Sequence, residues 1–400
     1  MDALVAVTTI ALCIWVGNLL VKTPYFSFLA QREGRFGSID GVRGYLAIAV
    51  MYSHFFVTYN WKVKGQWDHP IDGYFNSFGK FGVAVFFLIT GFLFVSKLLN
   101  AKNRVDWVRL FESRFFRIVP LYLLSVAFIT VIVFINTGLQ LESSFGHLLY
   151  EFARWFFYVG DTINSFADTG KINAGVDWTL RYEWLFYVLL PVIYLFVGAK
   201  KWWPPLLLFV VTLCLYLFPV KGFLIDSKFF LMFGLGGATA YLVNSQWVSK
   251  AQMQSGWVSL LALGLALGGF FHPKVLSFSH VVIIGAFFML VALGNDLFGL
   301  LKLKGSLLLG EISYSIYLLH GIVLYVVFTL FPVIDVSGLT YGQFSWLLPV
   351  VAVIAVLVSA ATYLLIEKPM IAYGRTGPLS NVLKTTGLQL SRIRRALVSA

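Results

Sequence analysis

Eleven apolar segments, each close to the length that crosses a bilayer, recur along this chain and restrict its fold more than any other feature. They fall near residues 3–21, 42–59, 81–98, 118–135, 178–197, 203–220, 229–243, 257–271, 278–297, 312–331 and 347–366, separated by short polar breaks. A spanning helix needs about 20 mostly apolar residues, and a backbone surrounded by lipid must satisfy its N–H and C=O groups internally, as a helix does. The expected fold class is therefore all-α: a polytopic membrane protein with about 11 transmembrane helices. A composition of 59% hydrophobic, 18% aromatic and only 12% charged residues excludes an ordinary soluble domain. The first segment follows Asp2 rather than Lys or Arg and has no small-residue cleavage site, so it is expected to be a retained span and not a secretory signal.

The charges are distributed unevenly over the breaks. Of the 30 Lys and Arg residues, 21 fall on one side of the alternating spans and 9 on the other. They include Lys22, Arg32, Arg35 and Arg43, the run from 97 to 117, Lys200 and Lys201, Lys302 and Lys304, and Arg392, Arg394 and Arg395. The positive-inside rule makes that side cytoplasmic, with the N-terminus outside and the C-terminus in the cytoplasm. A net charge of +12 is then a matter of topology and contact with anionic lipid headgroups, and implies no nucleic-acid partner. Cys13 and Cys214 both lie in apolar spans, without CxxC or metal-ligand spacing, so neither a disulfide nor a metal is expected. No fixed-period repeat marks a second domain, and self-association as a homo-oligomer is left open. The stretch 136–177 carries Glu142, Glu151, Asp161, Asp168 and Asp177 around Trp155, Phe156, Phe157 and Tyr158. A loop of this length is usually functional or disordered, and this one is expected to hold a short interfacial helix shaping an outer vestibule. Gly234, Gly236 and Gly237, and likewise Gly264 and Gly268, are expected to allow close helix packing.

Ionisable groups inside spans are costly and mark function or internal pairing. His54 lies well inside the second span, and Arg43 stands eleven positions before it. At 100° per residue they fall within about 20° of one helix face and about 16 Å apart along it. A cation at the cytoplasmic mouth and a titratable imidazole near mid-membrane suit an anionic donor held at one end with its reactive end reaching inward. The alternative is that His54 bonds a neighbouring carbonyl while Arg43 snorkels to headgroups; the shared face favours function. Asp40 is expected to cap this helix and could also orient the Arg43 guanidinium. Arg114 and Arg117, three apart at the start of the fourth span, make a fork suited to phosphates, although topology alone also places arginines there. Glu183, about one turn inside the fifth span, could pair with Arg181, hold His54 in its tautomer or bind an acceptor hydroxyl. Ser313, Tyr317 and His320 form one polar stripe that could hydrogen-bond as a row, His320 being either a second catalytic group or a packing donor. His69, His147, His272 and His280 fall in loops or at span ends without a comparable signal.

Assembled in order, these motifs resemble the acyltransferase-3 family of membrane O-acyltransferases, which modify O-antigen, exopolysaccharides and related acceptors. The resemblance runs from about 38 to 369. It rests on Asp40-Gly-Val-Arg-Gly ahead of His54, Phe81-Gly-Val-Ala-Val-Phe-Phe-Leu-Ile-Thr-Gly-Phe-Leu, Arg114-Phe-Phe-Arg117, Trp178-Thr-Leu with Glu183, Ser313-Tyr-Ser-Ile-Tyr-Leu-Leu-His320 and Glu367-Lys-Pro. It implies a ten-helix acyltransferase core at 38–369, preceded at 1–37 by an extra transmembrane helix and a cytoplasmic linker, and followed at 370–400 by a basic cytoplasmic tail. It also implies an acyl-CoA donor, usually acetyl-CoA, taken from the cytoplasm, and a sugar or polysaccharide acceptor presented outside. Catalytic importance is implied for Arg43 and His54, and donor-phosphate binding for Arg114 and Arg117; from their positions Glu183 and Asp40 are expected as catalytic residues beside them, and Arg43 as a further donor-phosphate contact. His320, Tyr317, Ser313 and Trp178 are expected as supporting residues. The hydrolase-like domain fused to some relatives is absent from this sequence. The expected reaction is direct transfer with His54 as general base; no Ser or Cys stands beside a base at a spacing that signals an acyl-enzyme. The rival reading is a transporter of a small solute or glycolipid. Repeated halves and matching broken helices would mark one, and neither is found.

Overall fold

The structure is a computed structural model that describes residues 2–31, 37–68, 75–101, 105–197, 203–222, 225–245, 249–332 and 334–382. Arg32, Arg35, His69, Lys200, Lys201 and the end of the basic tail with Arg392, Arg394 and Arg395 lie outside the described residues. The chain folds as α1 (Asp2–Val21), α2 (Gly37–Lys64), α3 (Asn76–Leu99), α4 (Trp107–Asn136), α5 (Phe145–Phe156), α6 (Thr169–Ile172), α7 (Trp178–Val197) and α8 (Trp203–Leu217). A two-residue antiparallel pair follows, β1 (Lys221–Gly222) with β2 (Ile225–Asp226). Then come α9 (Phe230–Ser245), α10 (Lys250–Met253), α11 (Gly256–Phe270), α12 (Phe278–Ala292), α13 (Lys304–Glu311), α14 (Ser313–Tyr325), α15 (Tyr341–Ser345), α16 (Leu348–Thr362) and α17 (Lys368–Thr376). π-helical turns extend α14 over Val326–Leu330 and join α16 to α17 over Tyr363–Glu367.

Each of the eleven apolar segments falls on a helix, and the protein is an all-helical integral membrane protein. Among the described residues six helical stretches are long and apolar enough to cross a membrane: Asp2–Val21, Ser77–Leu99, Trp107–Asn136, Trp178–Val197, Ser313–Leu330 and Tyr341–Val382. Pro205–Leu217, Gly256–Phe270 and Phe278–Ala292 are apolar but shorter. The 28-residue α2 is not among the six. Arg43, His54 and its tyrosines interrupt its apolar run, and protein rather than lipid covers most of it: Leu46, Ala47, Ile48, Val50, Met51, Tyr52, Phe55 and Phe56 are all buried. Polar groups at membrane depth are tolerated where protein encloses them.

Two apolar cores meet on α2 and α14. One draws Val42, Leu46 and Val50 of α2 and Leu318, Leu319 and Ile322 of α14 against α3, α4, α7, α9 and α12. The other takes Ala47, Met51 and Phe55 of α2 and Ile316, Val323 and Leu324 of α14 against α1, α13 and α16. These two helices are thus held from both sides, which fixes their register against each other. Where α2 enters the bundle it runs hard against α13: a Cβ on Gly310 would lie 1.7 Å from the Asp40 carbonyl oxygen. Gly236 supports the α9–α3 contact, since its Cβ would lie 2.1 Å from the Leu88 carbonyl oxygen. Gly264, however, faces open space, so the packing expected of it does not occur. The short helix expected within 136–177 is α5, capped by the Ser144 hydroxyl accepting from the His147 N–H at 3.3 Å. It buries Leu148, Glu151 and Trp155 while exposing Phe145, Leu149 and Tyr150.

Candidate active site

A cavity of about 290 Å³ opens where α2, α3, α4, α7 and α14 converge. On α4 the three- and four-residue spacing of Arg114, Arg117 and Ile118 turns one helical face toward it. Glu183 and Tyr187, four apart, line it from α7, Ser313 and Tyr317 from α14, and Arg43 from α2. The three arginines expected to act on the donor therefore share one chamber. Guanidiniums in such a place need counter-charge, and three glutamates provide it. Arg117 lies in the field of Glu367, Glu311 and Glu183, Arg43 in that of Asp40, Glu311 and Glu367, and Arg114 beside Glu183 and Tyr187. The carboxylates are held in turn. Tyr363 donates to Glu311 Oε1 at 2.7 Å, Ser315 donates to Glu367 Oε1, and Tyr187 donates to Glu183 Oε1 at 3.1 Å. Glu367 Oε2 is buried with no hydrogen-bond partner. The π turn at Tyr363–Glu367 carries both the tyrosine and this carboxylate.

His54 leaves α2 toward α14 and meets His320: the His54 Nδ1 and His320 Nε2 atoms are 2.9 Å apart and the rings stack at 5.1 Å. His320 Nδ1 lies 3.0 Å from the Ile316 carbonyl oxygen, an acceptor only, so that nitrogen carries a proton. In neutral His320, Nε2 is then the acceptor, and His54 must donate to it through Nδ1. That tautomer gives His54 Nε2 the basic lone pair. His320 is buried, and Tyr317, one turn earlier on α14, forms the cavity wall 6.3 Å from its ring. The histidine pair thus sits about one helical turn beyond the arginine chamber, past Tyr317 and Phe86.

Several expected details differ. Asp40 does not cap α2, because the helix already begins at Gly37 and Asp40 lies inside its first turn. Its carboxylate is 3.9 Å from Arg43 Nη1, an ion pair too long for a hydrogen bond. Glu183 does not pair with Arg181: two residues apart on a helix they point about 200° from each other, and Glu183 turns to the chamber. The structure gives Tyr187 and Thr90 as hydrogen-bond donors to Glu183 and His320 as the partner of His54. Ser313, Tyr317 and His320 share a face but do not bond as a row. Ser313 donates to the Gly310 carbonyl, Tyr317 reaches the Val176 carbonyl and Thr179, and His320 meets His54. Trp178 packs in an aromatic cluster with Tyr182 and Phe229 rather than on the chamber wall. Glu311, Glu367 and Tyr187 were missing from the sequence-based site. Their signal was available, for each is a polar group in or beside an apolar span and Glu367 opens one of the quoted motifs.

A helical membrane bundle enclosing a charged chamber next to a paired imidazole has the parts of a membrane-embedded enzyme. The chain belongs to the acyltransferase-3 family, whose acyltransferase domain matches residues 36–364. It is a membrane acyltransferase. Among curated proteins it is similar to nodulation protein 10 of Rhizobium leguminosarum bv. viciae, 28% identical over 174 residues, 40% of this chain and 45% of that one. It is also 28% identical over 328 residues to the exopolysaccharide production protein ExoZ of Rhizobium meliloti (strain 1021), covering 76% of this chain and 93% of ExoZ. The acyltransferase MdmB of Streptomyces mycarofaciens is 24% identical over 328 residues, with coverages of 74% and 81%. The chain thus spans less than half of nodulation protein 10 but most of the other two. No solved structure matches it.

Proposed function

We propose that this protein transfers an acyl group, acetyl in the simplest case, from cytoplasmic acyl-CoA to a hydroxyl of an extracytoplasmic or lipid-linked sugar, with His54 as general base. The observation that carries this reading is the His54–His320 pair placed about one turn from a chamber that gathers Arg43, Arg114 and Arg117. In this account the arginine end of the bundle faces the cytoplasm across a bacterial inner membrane, all eleven apolar helices cross or enter the bilayer, and 38–369 is the catalytic unit. The N-terminal helix and the basic tail flank that unit. The name of ExoZ supports a polysaccharide acceptor.

Donor phosphates bind Arg114, Arg117 and Arg43, whose guanidiniums offer paired N–H donors. The pantetheine arm passes Phe86 and Tyr317 and brings the thioester to His54. His54 Nε2 takes the proton of the acceptor hydroxyl as its oxygen attacks the thioester carbonyl. The C–S bond breaks, and the CoA thiolate leaves with the proton returned from the imidazolium. His320 accepts from His54 Nδ1 throughout and stabilises the charge that forms on the ring. General base catalysis of this kind contributes about 10²- to 10⁴-fold, and alignment of donor with acceptor contributes further. The test is mass spectrometry of surface glycans from cells lacking the gene, complemented with wild type or with His54→Ala. Wild type restores the mass of the acyl group and His54→Ala does not, at equal membrane levels. Restoration by His54→Ala would refute the mechanism.

A further inference from the structure

The α4–α7 pair carries a second feature that donor binding and base catalysis leave unused. While Arg114, Arg117, Glu183 and Tyr187 turn to the chamber, the opposite faces of the same helices line a groove of about 680 Å³. Phe115, Val119 and Leu123 form its α4 wall, Phe156 and Phe157 close one end, and Arg181 and Trp184 face it from α7. Phe115 and Leu123 are 41% and 45% exposed, and Phe156 and Phe157 55% and 67%, so in an integral membrane protein this groove opens to lipid. Arg181 does not belong in such surroundings unless it has a partner there. Its Nε and Nη1 atoms are buried and bond to nothing, and Asp177, four residues earlier, lies within electrostatic reach without bonding it. An apolar slot with a guanidinium on its wall, two of whose nitrogens have no hydrogen-bond partner, is complementary to a hydrocarbon chain that ends in a phosphate.

The partition between groove and chamber is thin. Trp184 donates from Nε1 to the Tyr158 hydroxyl at 2.9 Å, and its ring meets Tyr187, a chamber wall, edge-on at 5.8 Å. One aromatic layer therefore separates the lipid-facing slot from the arginine chamber, which leads on past Tyr317 and Phe86 to His54. We propose that the groove is a lateral docking site for the acceptor, and that the acceptor is a membrane lipid carrying its sugar through a phosphate: the chain lies along Phe115–Leu123 and the phosphate bonds Arg181. This deepens the proposed acyl transfer and rests on it for the role of the bound lipid, although the binding itself can be measured without turnover.

The experiment uses the full chain in phosphatidylcholine nanodiscs and a farnesyl-phosphoryl-glucose bearing a diazirine in its chain. A matched probe joins the same chain to glucose without phosphate. On irradiation the phosphate probe labels peptides containing 115–123, 156–157 or 181–184, at least about 10-fold more than the phosphate-free probe, as expected for loss of a charge-assisted bond. Arg181→Gln removes that preference, Arg181→Lys keeps most of it, and His54→Ala leaves labelling unchanged even though transfer is lost. Labelling elsewhere, equal labelling by the two probes, or an Arg181→Gln variant that inserts normally and keeps the preference would overturn the proposal. Displacement by an equal amount of phosphatidylglycerol would also overturn it, because the groove would then be a site for bulk lipid. Failure of acyl transfer with labelling intact would count against the catalytic reading alone.

Discussion

Replacing His320 separates a positioning imidazole from a packing one. It is 1% exposed, bonds the Ile316 carbonyl through Nδ1 at 3.0 Å, and takes the His54 Nδ1–H through Nε2 at 2.9 Å. In His320→Ala the His54 donor loses its acceptor. An orphaned buried donor costs about 1–3 kcal/mol, and each 1.36 kcal/mol in a barrier is about tenfold in rate. The expected fall in kcat is therefore about 10- to 100-fold, with KM for acyl-CoA unchanged because the chamber arginines are untouched. The side chain of Gln reaches about as far as Nε2 of a histidine, and that of Asn only as far as Nδ1. His320→Gln should therefore recover much of the rate by presenting its carbonyl oxygen to His54, and His320→Asn should not. Steady-state transfer by purified protein in proteoliposomes reads both constants, and thermal unfolding checks that each variant is folded. A wild-type kcat for His320→Ala, or equal rescue by Asn and Gln, would refute the tautomer argument.

The charged chamber and the helix crossing supply two further expectations. Arg117→Gln removes the cation in whose field Glu311 and Glu367 lie and leaves their buried charge less compensated; thermal unfolding should show a loss of stability, and the double variant with Glu367→Gln should recover part of it. Gly310→Ala would place a methyl group 1.7 Å from the Asp40 carbonyl oxygen, so α2 and α13 must separate. Overpacking of this kind costs about 1–3 kcal/mol or more, which a lowered unfolding midpoint would report, whereas Gly264→Ala, facing open space, should leave it unchanged.

The helical architecture was legible because a bilayer demands long apolar runs, and every run marked a helix. The polar face of α2 was legible for the same reason: Arg43 and His54 stand out against lipid-compatible neighbours. The partners of those residues were not legible. His54 and His320 lie 266 positions apart, and only the register of α2 against α14, set by two separate cores, brings their nitrogens together. Glu367 belonged to a recognised motif, yet its place in the field of Arg117 and Arg43 depends on the π turn at Tyr363–Glu367, a local departure that apolar periodicity does not reveal. Asp40 was misplaced by one turn because capping chemistry was read from residue type before the helix start was known. Gly264 was misread because small residues in a span fit a lipid-facing surface as well as a tight crossing.

The most direct test of the account is single-turnover acyl transfer from pre-bound acyl-CoA, with donor affinity measured in parallel, for wild type and His54→Ala. The account predicts an unchanged donor Kd and a rate lowered by about 10²- to 10⁴-fold. A rate within a few-fold of wild type, or a loss fully explained by weaker donor binding, would contradict it.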